Sequence, residues 1–178
     1  GVDWSNPQMT YKLATLALQN FLDARYVSEI DSISEAISIL AGRADTVRQE
    51  CDRLDVLINN AGVGSGGSAG KRQISQDGYE LRFAVNYLAG FLLTRILMPV
   101  VVRGKPARIV NVSSLGQHPI DFDEVMLTRD YSGARAYAQS KLAQIMFTFD
   151  LAREMDPEIV TANCLHPATY MATTMVRQ

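Results

Sequence analysis

The chain is poor in the features that most quickly settle a function. Only two cysteines occur, Cys51 and Cys164, far apart, which builds no disulfide framework and fits a reducing compartment. Histidine is as scarce, and His118 and His166 share no zinc-like spacing with the cysteines, so no metal is expected. Basic residues do not exceed acidic ones: 17 Lys and Arg stand against 19 Asp and Glu, for a net charge of -2. Nucleic acid, whose phosphates demand positive charge, is therefore not an expected partner. Unbroken apolar runs such as 91–93 and 100–102 fall far short of the ~20 residues of a membrane span. The polar start, residues 1–10, has no basic patch leading into an apolar run, so neither signal peptide nor anchor is read and a cytoplasmic location is expected. What is present is 178 residues, 47% apolar and 20% charged, which fits a single soluble domain over 1–178.

Three short apolar runs end in polar or glycine residues, as buried strands feeding loops should: 55–59, 108–112 and 160–164. Residues 25–30 form a weaker candidate, and 32–50 a helix with Gly42 as an interruption. Between the strands lie segments long enough for crossover helices. The first is expected to open near Asp77, with Glu80 three residues on, and sets Leu81, Val85, Leu88, Leu92 and Ile96 at helical spacing. The second opens around Gly133 and sets Tyr137, Lys141, Ile145 and Phe149 on one stripe, beside Leu142 and Met146. Alternation of this kind predicts an α/β fold, a parallel sheet covered on both faces. Ligands then bind beyond the carboxyl ends of the strands, at 59–62, 113–116 and 166–169.

Several motifs at those ends are decoys. Gly62, Gly64 and Gly67 match G-x-G-x-x-G, but 71–76 is polar where a buried helix should begin, so a flexible surface loop is the better reading. The same tract fails as a P-loop at Ser65 and Arg72. Ser114 suggests a hydrolase elbow, yet Val112 stands where that strained turn needs glycine.

Tyr137 and Lys141 are different, because they share one helix face directly after the strand that leads to Ser113 and Ser114. A tyrosine with an ordinary pKa near 10 is a poor proton acceptor at pH 7, and lowering it by about three units takes roughly 4 kcal/mol. An ammonium about 4.5 Å away supplies that amount at an effective dielectric near 20. Such a tyrosine would serve as general acid or base for an alcohol and carbonyl pair, with Ser114 donating to the carbonyl oxygen.

Four ordered motifs extend this pattern: Asn59-Asn60-Ala61-Gly62, Phe83-Ala84-Val85-Asn86, Ile109-Val110-Asn111-Val112-Ser113-Ser114 and Tyr137-Ala138-Gln139-Ser140-Lys141. Together they resemble the short-chain dehydrogenases/reductases, over roughly 31–175. The resemblance implies a doubly wound, Rossmann-like domain that binds NAD or NADP, with a catalytic tetrad of Asn86, Ser114, Tyr137 and Lys141. It further implies that the lysine holds the nicotinamide ribose and that the asparagine carries a proton-relaying water. Asn59, Ala61 and Gly62 would wall the adenosine, Asp31 would lie near the adenine, and Pro167, Ala168, Thr169 and Thr173 would lie by the carboxamide. Asn59 also reads as a tie between adjacent strands, Asn86 as a helix residue capping a kink, and Ser113 as structural.

The front departs from the family, since its first strand and glycine-rich phosphate turn are absent from this sequence. The fold is expected to be incomplete there, with Asp3 ending the second strand, beside the adenosine ribose. The interval from Ser114 to Tyr137 is long and resembles the branch of retinol dehydrogenases and protochlorophyllide reductases. Its Phe122, Val125, Met126 and Leu127 are expected to wall a pocket for a fairly apolar ketone, aldehyde or secondary alcohol. Members of the family are commonly homodimers or homotetramers. Two other readings stand beside the oxidoreductase: a catalytically impaired cofactor-binding or regulatory protein, and a sugar-nucleotide epimerase or dehydratase.

Overall fold

The computed structural model describes residues 47, 49, 51–65, 71–75 and 78–167. The three apolar runs are strands β1 (Val56–Asn59), β2 (Ala107–Val112) and β3 (Val160–Leu165), each within a residue of its expected bounds. They pair in parallel in the order β1-β2-β3, with Asn59 opposite Asn111 and Asn111 opposite Cys164. The candidates at 25–30 and most of 32–50 lie outside the described residues.

The first crossover is a continuous helical rod: α1 (Leu81–Phe83), a π turn (Ala84–Leu88) and α2 (Ala89–Arg103). Asp77 lies outside the described residues, and the observed N-cap is Glu80 itself, whose Oε2 accepts the Phe83 N–H at 2.8 Å. The π turn closes with Ala89 N–H donating to Ala84 O, and its extra residue rotates the succeeding turns relative to an ideal 3.6-residue helix. The expected stripe of Leu81, Val85, Leu88, Leu92 and Ile96 is consequently only half-buried, and the core takes Leu93, Leu97, Val100 and Val101 instead.

The second crossover ends in α3 (Gly133–Glu154), capped by Ser132, whose Oγ accepts from Arg135 N. Its buried face also differs from expectation. Ala136, Ala143, Phe147 and Leu151 face inward, while Met146 and Phe149 are 41% and 58% exposed. Small residues at the inward positions let the helix approach its neighbours closely, which a count of large apolar side chains does not register.

α2 and α3 pack together over the sheet through Phe91 and Phe147, edge to face at 5.0 Å. Leu54, Leu57, Ile109 and Val160 complete the core, each fully buried side chain contributing about 1.5–3 kcal/mol. Between α2 and β2, Gly104 passes against the Leu54 carbonyl so closely that a Cβ there would overlap its oxygen.

The rod Leu81–Arg103, at 23 residues, is long and apolar enough to cross a membrane by length and composition. The count of unbroken apolar runs missed this, because polar residues interrupt the rod. Within this fold its Leu93, Leu97, Val100 and Val101 are buried in the core. Cys51 and Cys164 form no disulfide, and among the described residues no cluster of three His, Cys, Asp or Glu could hold a metal.

Candidate active site

All three strands point their carboxyl ends toward one edge, and the loops leaving β1 and β2 carry the expected side chains there. Tyr137, half-buried on α3, and Ser114 both border Gly116: a Cβ built there would stand 3.7 Å from Ser114 Oγ and from Tyr137 Cε1. Ser114 Oγ accepts from Gly116 N at 3.2 Å. Lys141 and Asn86 meet at Gly62, where a Cβ would stand 3.5 Å from Lys141 Nζ and 3.1 Å from Asn86 Oδ1. A side chain at that position would crowd the Asn86 amide.

Lys141 is 4% exposed, and its Nζ donates to Val112 O at 2.9 Å and to Gln144 Oε1 at 3.4 Å. Burial pushes its pKa down to about 8. At pH 7 the ammonium therefore keeps roughly nine-tenths of its protons.

Asn86 sits in the π turn, so the kink reading locates it correctly, but its amide serves the surroundings. Its Oδ1 accepts from Val63 N at 2.7 Å, and its Nδ2 donates to Val63 O at 3.1 Å and to Ser140 Oγ at 2.9 Å. Asn59 does tie the strands, donating from Nδ2 to Asn111 Oδ1 at 2.8 Å and to Thr94 Oγ1 at 2.9 Å. Ser113 donates to the Lys141 backbone carbonyl at 3.0 Å, the structural role expected of it. Ala61 is half-buried in the loop after β1 and Pro167 is exposed beyond β3. Asp3, Asp31, Ala168, Thr169 and Thr173 lie outside the described residues.

The long interval before Tyr137 is irregular but anchored. Leu127 is fully buried with a left-handed φ of 47°, a conformation that disfavours a branched side chain. Its burial offsets a backbone cost of order 1–3 kcal/mol. Val125 and Met126 are half-buried, whereas Phe122 is 74% exposed and points outward rather than lining an interior wall. Gln139, two residues after Tyr137, is buried and donates to Val125 O at 2.8 Å.

Sequence reasoning missed a second buried cluster. Arg82 and Glu80 pair at 3.3 Å with side chains 5% and 1% exposed, and the Tyr131 hydroxyl joins both. An acid and a base at a helix start read as solvated in a sequence. Their one legible sign is position, immediately before the Phe83-Ala84-Val85-Asn86 motif.

The profile of the short chain dehydrogenase family matches residues 39–178. Human retinol dehydrogenase 13 is 42% identical over 127 residues, covering 70% of this chain and 37% of that protein. Human retinol dehydrogenase 14 is 43% identical over 121 residues, 67% of this chain and 35% of that protein. The crystal structure of a metagenomic short-chain oxidoreductase in complex with NADP superposes with a TM-score of 0.57 at 27% identity, covering 79% of this chain and 56% of that one. The chain belongs to the short chain dehydrogenase family, in the branch that includes the retinol dehydrogenases. It spans well under half the length of those two relatives.

Proposed function

We propose that the protein is an NAD(P)-dependent oxidoreductase that interconverts a carbonyl and an alcohol, with Tyr137 as general acid and base. The observation that carries this reading is the convergence of Tyr137 with Ser114 and of Lys141 with Asn86 at the carboxyl ends of β1 and β2. Membership of the family favours it over the regulatory and sugar-nucleotide readings.

The residues fit the ribose end of a nicotinamide nucleotide. Gly62 leaves open a space bordered by a buried ammonium and an amide oxygen, and the Tyr137 phenol lies one helical turn before Lys141. The nicotinamide, when bound, supplies or accepts the hydride. Tyr137 gives a proton to the substrate oxygen in reduction and takes one in oxidation. Ser114 Oγ turns its hydroxyl proton toward that oxygen while charge gathers on it. Asn86 holds the loop that carries Gly62 through both backbone atoms of Val63.

An apolar substrate suits a wall formed by the half-buried Val125 and Met126, with the fully buried Leu127 behind them, and the names of the relatives make retinal and retinol the first compounds to include. The outward α3 face, bearing Met146 and Phe149, supports self-association into a dimer or tetramer. A panel of ketones and aldehydes with NADH or NADPH, followed at the nicotinamide absorbance, tests the reading. Turnover of an apolar carbonyl is expected; no turnover with either nucleotide overturns it.

A further inference from the structure

Arg82 uses every face of its guanidinium. Nε donates to Gly64 O at 2.9 Å, and one terminal nitrogen, Nη2, donates to Ser65 O at 2.9 Å. The other, Nη1, donates to Glu80 Oε1 at 3.3 Å and to the Tyr131 hydroxyl at 2.7 Å. Tyr131 in turn donates to Glu80 Oε1 at 2.9 Å. Gly64 and Ser65 end the described part of the loop that Asn86, four residues beyond Arg82, holds at Val63. Tyr131 lies on the other side, at the close of the irregular segment that leads into α3. A single buried side chain therefore touches both the loop beside Gly62 and the segment that precedes Tyr137.

We infer that Arg82, locked by Glu80 and Tyr131, is a positioning residue that couples the nucleotide-side loop, 60–65, to the substrate-side segment, 119–131. The inference rests on the functional reading above, which assigns nucleotide and substrate to those two sides. Three features favour coupling over a simple buried ion pair. The carbonyls Arg82 satisfies belong to a loop without regular structure, so no strand or helix would otherwise hold them. A fully desolvated Arg–Glu pair contributes little net stability against an apolar replacement, so its use lies in geometry. The Tyr131 hydroxyl, pushed up to about 12 chiefly by burial and then by Glu80, stays protonated and can donate throughout the working pH range.

Tyr131→Phe removes only the tie to the substrate-side segment, and Arg82→Met removes both ties that Arg82 makes, keeping the length of the stem and leaving Tyr131 its bond to Glu80. In the full chain, amide hydrogen exchange should quicken roughly tenfold across 121–127 in Tyr131→Phe, with 61–65 unchanged, and chiefly across 61–65 in Arg82→Met, where Tyr131 keeps Glu80. In turnover assays, Tyr131→Phe should raise the KM of the carbonyl and spare that of the nucleotide, whereas Arg82→Met should raise both, with kcat changed less. Tyr131→Phe keeps the buried Arg82–Glu80 pair, so the first arm stands even where Arg82→Met fails to fold. Exchange across 121–127 that is unaltered in Tyr131→Phe overturns the coupling. A wild type without turnover overturns the functional reading instead, and leaves the exchange result to decide the coupling.

Discussion

Asn59 and Asn111 face each other across β1 and β2, joined side chain to side chain at 2.8 Å, and each continues to a threonine of the helix above it. Asn59 donates to Thr94 of α2, and Asn111 donates to Thr148 of α3 at 2.8 Å. The sheet is thereby fastened to both helices by one buried polar chain. Replacing Asn59 with alanine leaves buried acceptors on Asn111 and Thr94 without their donor, each costing about 1–3 kcal/mol. Urea unfolding of Asn59→Ala should show a loss of at least about 2 kcal/mol, larger than that of an exposed substitution such as Asn163→Ala.

Gly104→Ala tests packing away from the chemistry. The added methyl overlaps the Leu54 carbonyl, which is backbone and belongs to the approach to β1. A loss of about 2–3 kcal/mol is expected in thermal or urea unfolding, with the KM of any remaining folded enzyme unchanged.

Gly62→Ala tests the crevice itself. Its methyl would press on Asn86 Oδ1 and approach Lys141 Nζ, both held by hydrogen bonds and slow to yield. Nucleotide affinity, measured by quenching or calorimetry, should fall about tenfold or more, with a stability loss of about 1–3 kcal/mol from the overpacking.

Lys141 makes stability depend on pH with a definite sign. Burial lowers its pKa from 10.5 to about 8, so between those values the unfolded chain binds a proton that the folded protein does not. Below pH 8 the folded state carries the full cost of a buried ammonium, and that cost is relieved as pH rises to 10.5. Stability should therefore gain about 3 kcal/mol from this group across that window. Urea midpoints at about pH 7.5 and about pH 10, compared between wild type and Lys141→Met, isolate the effect, which the variant should lack. For carbonyl reduction, kcat/KM should fall above about pH 8 as the ammonium is lost.

The parts of the fold legible in the sequence were those with uninterrupted local patterns. The strands 56–59, 107–112 and 160–165 are apolar runs bounded by polar or glycine residues, and nothing competes with that reading. Helix faces were less legible, because the π turn at Ala84–Leu88 changes the phase that a 3.6-residue count assumes. On α3, the inward Ala136, Ser140 and Ala143 are too small to mark a core, while Met146 and Phe149 mark the wrong one. Of the candidate site, Asn86, Ser114, Tyr137 and Lys141 are proposed from ordered motifs. The Glu80–Arg82–Tyr131 cluster was not, since its partners lie about 50 residues apart and no local spacing joins them.

The proposed chemistry turns on proton transfer by the Tyr137 hydroxyl, and a comparison of wild type with Tyr137→Phe on one carbonyl substrate is its sharpest test. Single-turnover reduction should slow at least about a hundredfold in the variant, while its nucleotide affinity stays within a few fold. A variant that reduces the carbonyl at close to the wild-type rate would refute that role for the tyrosine.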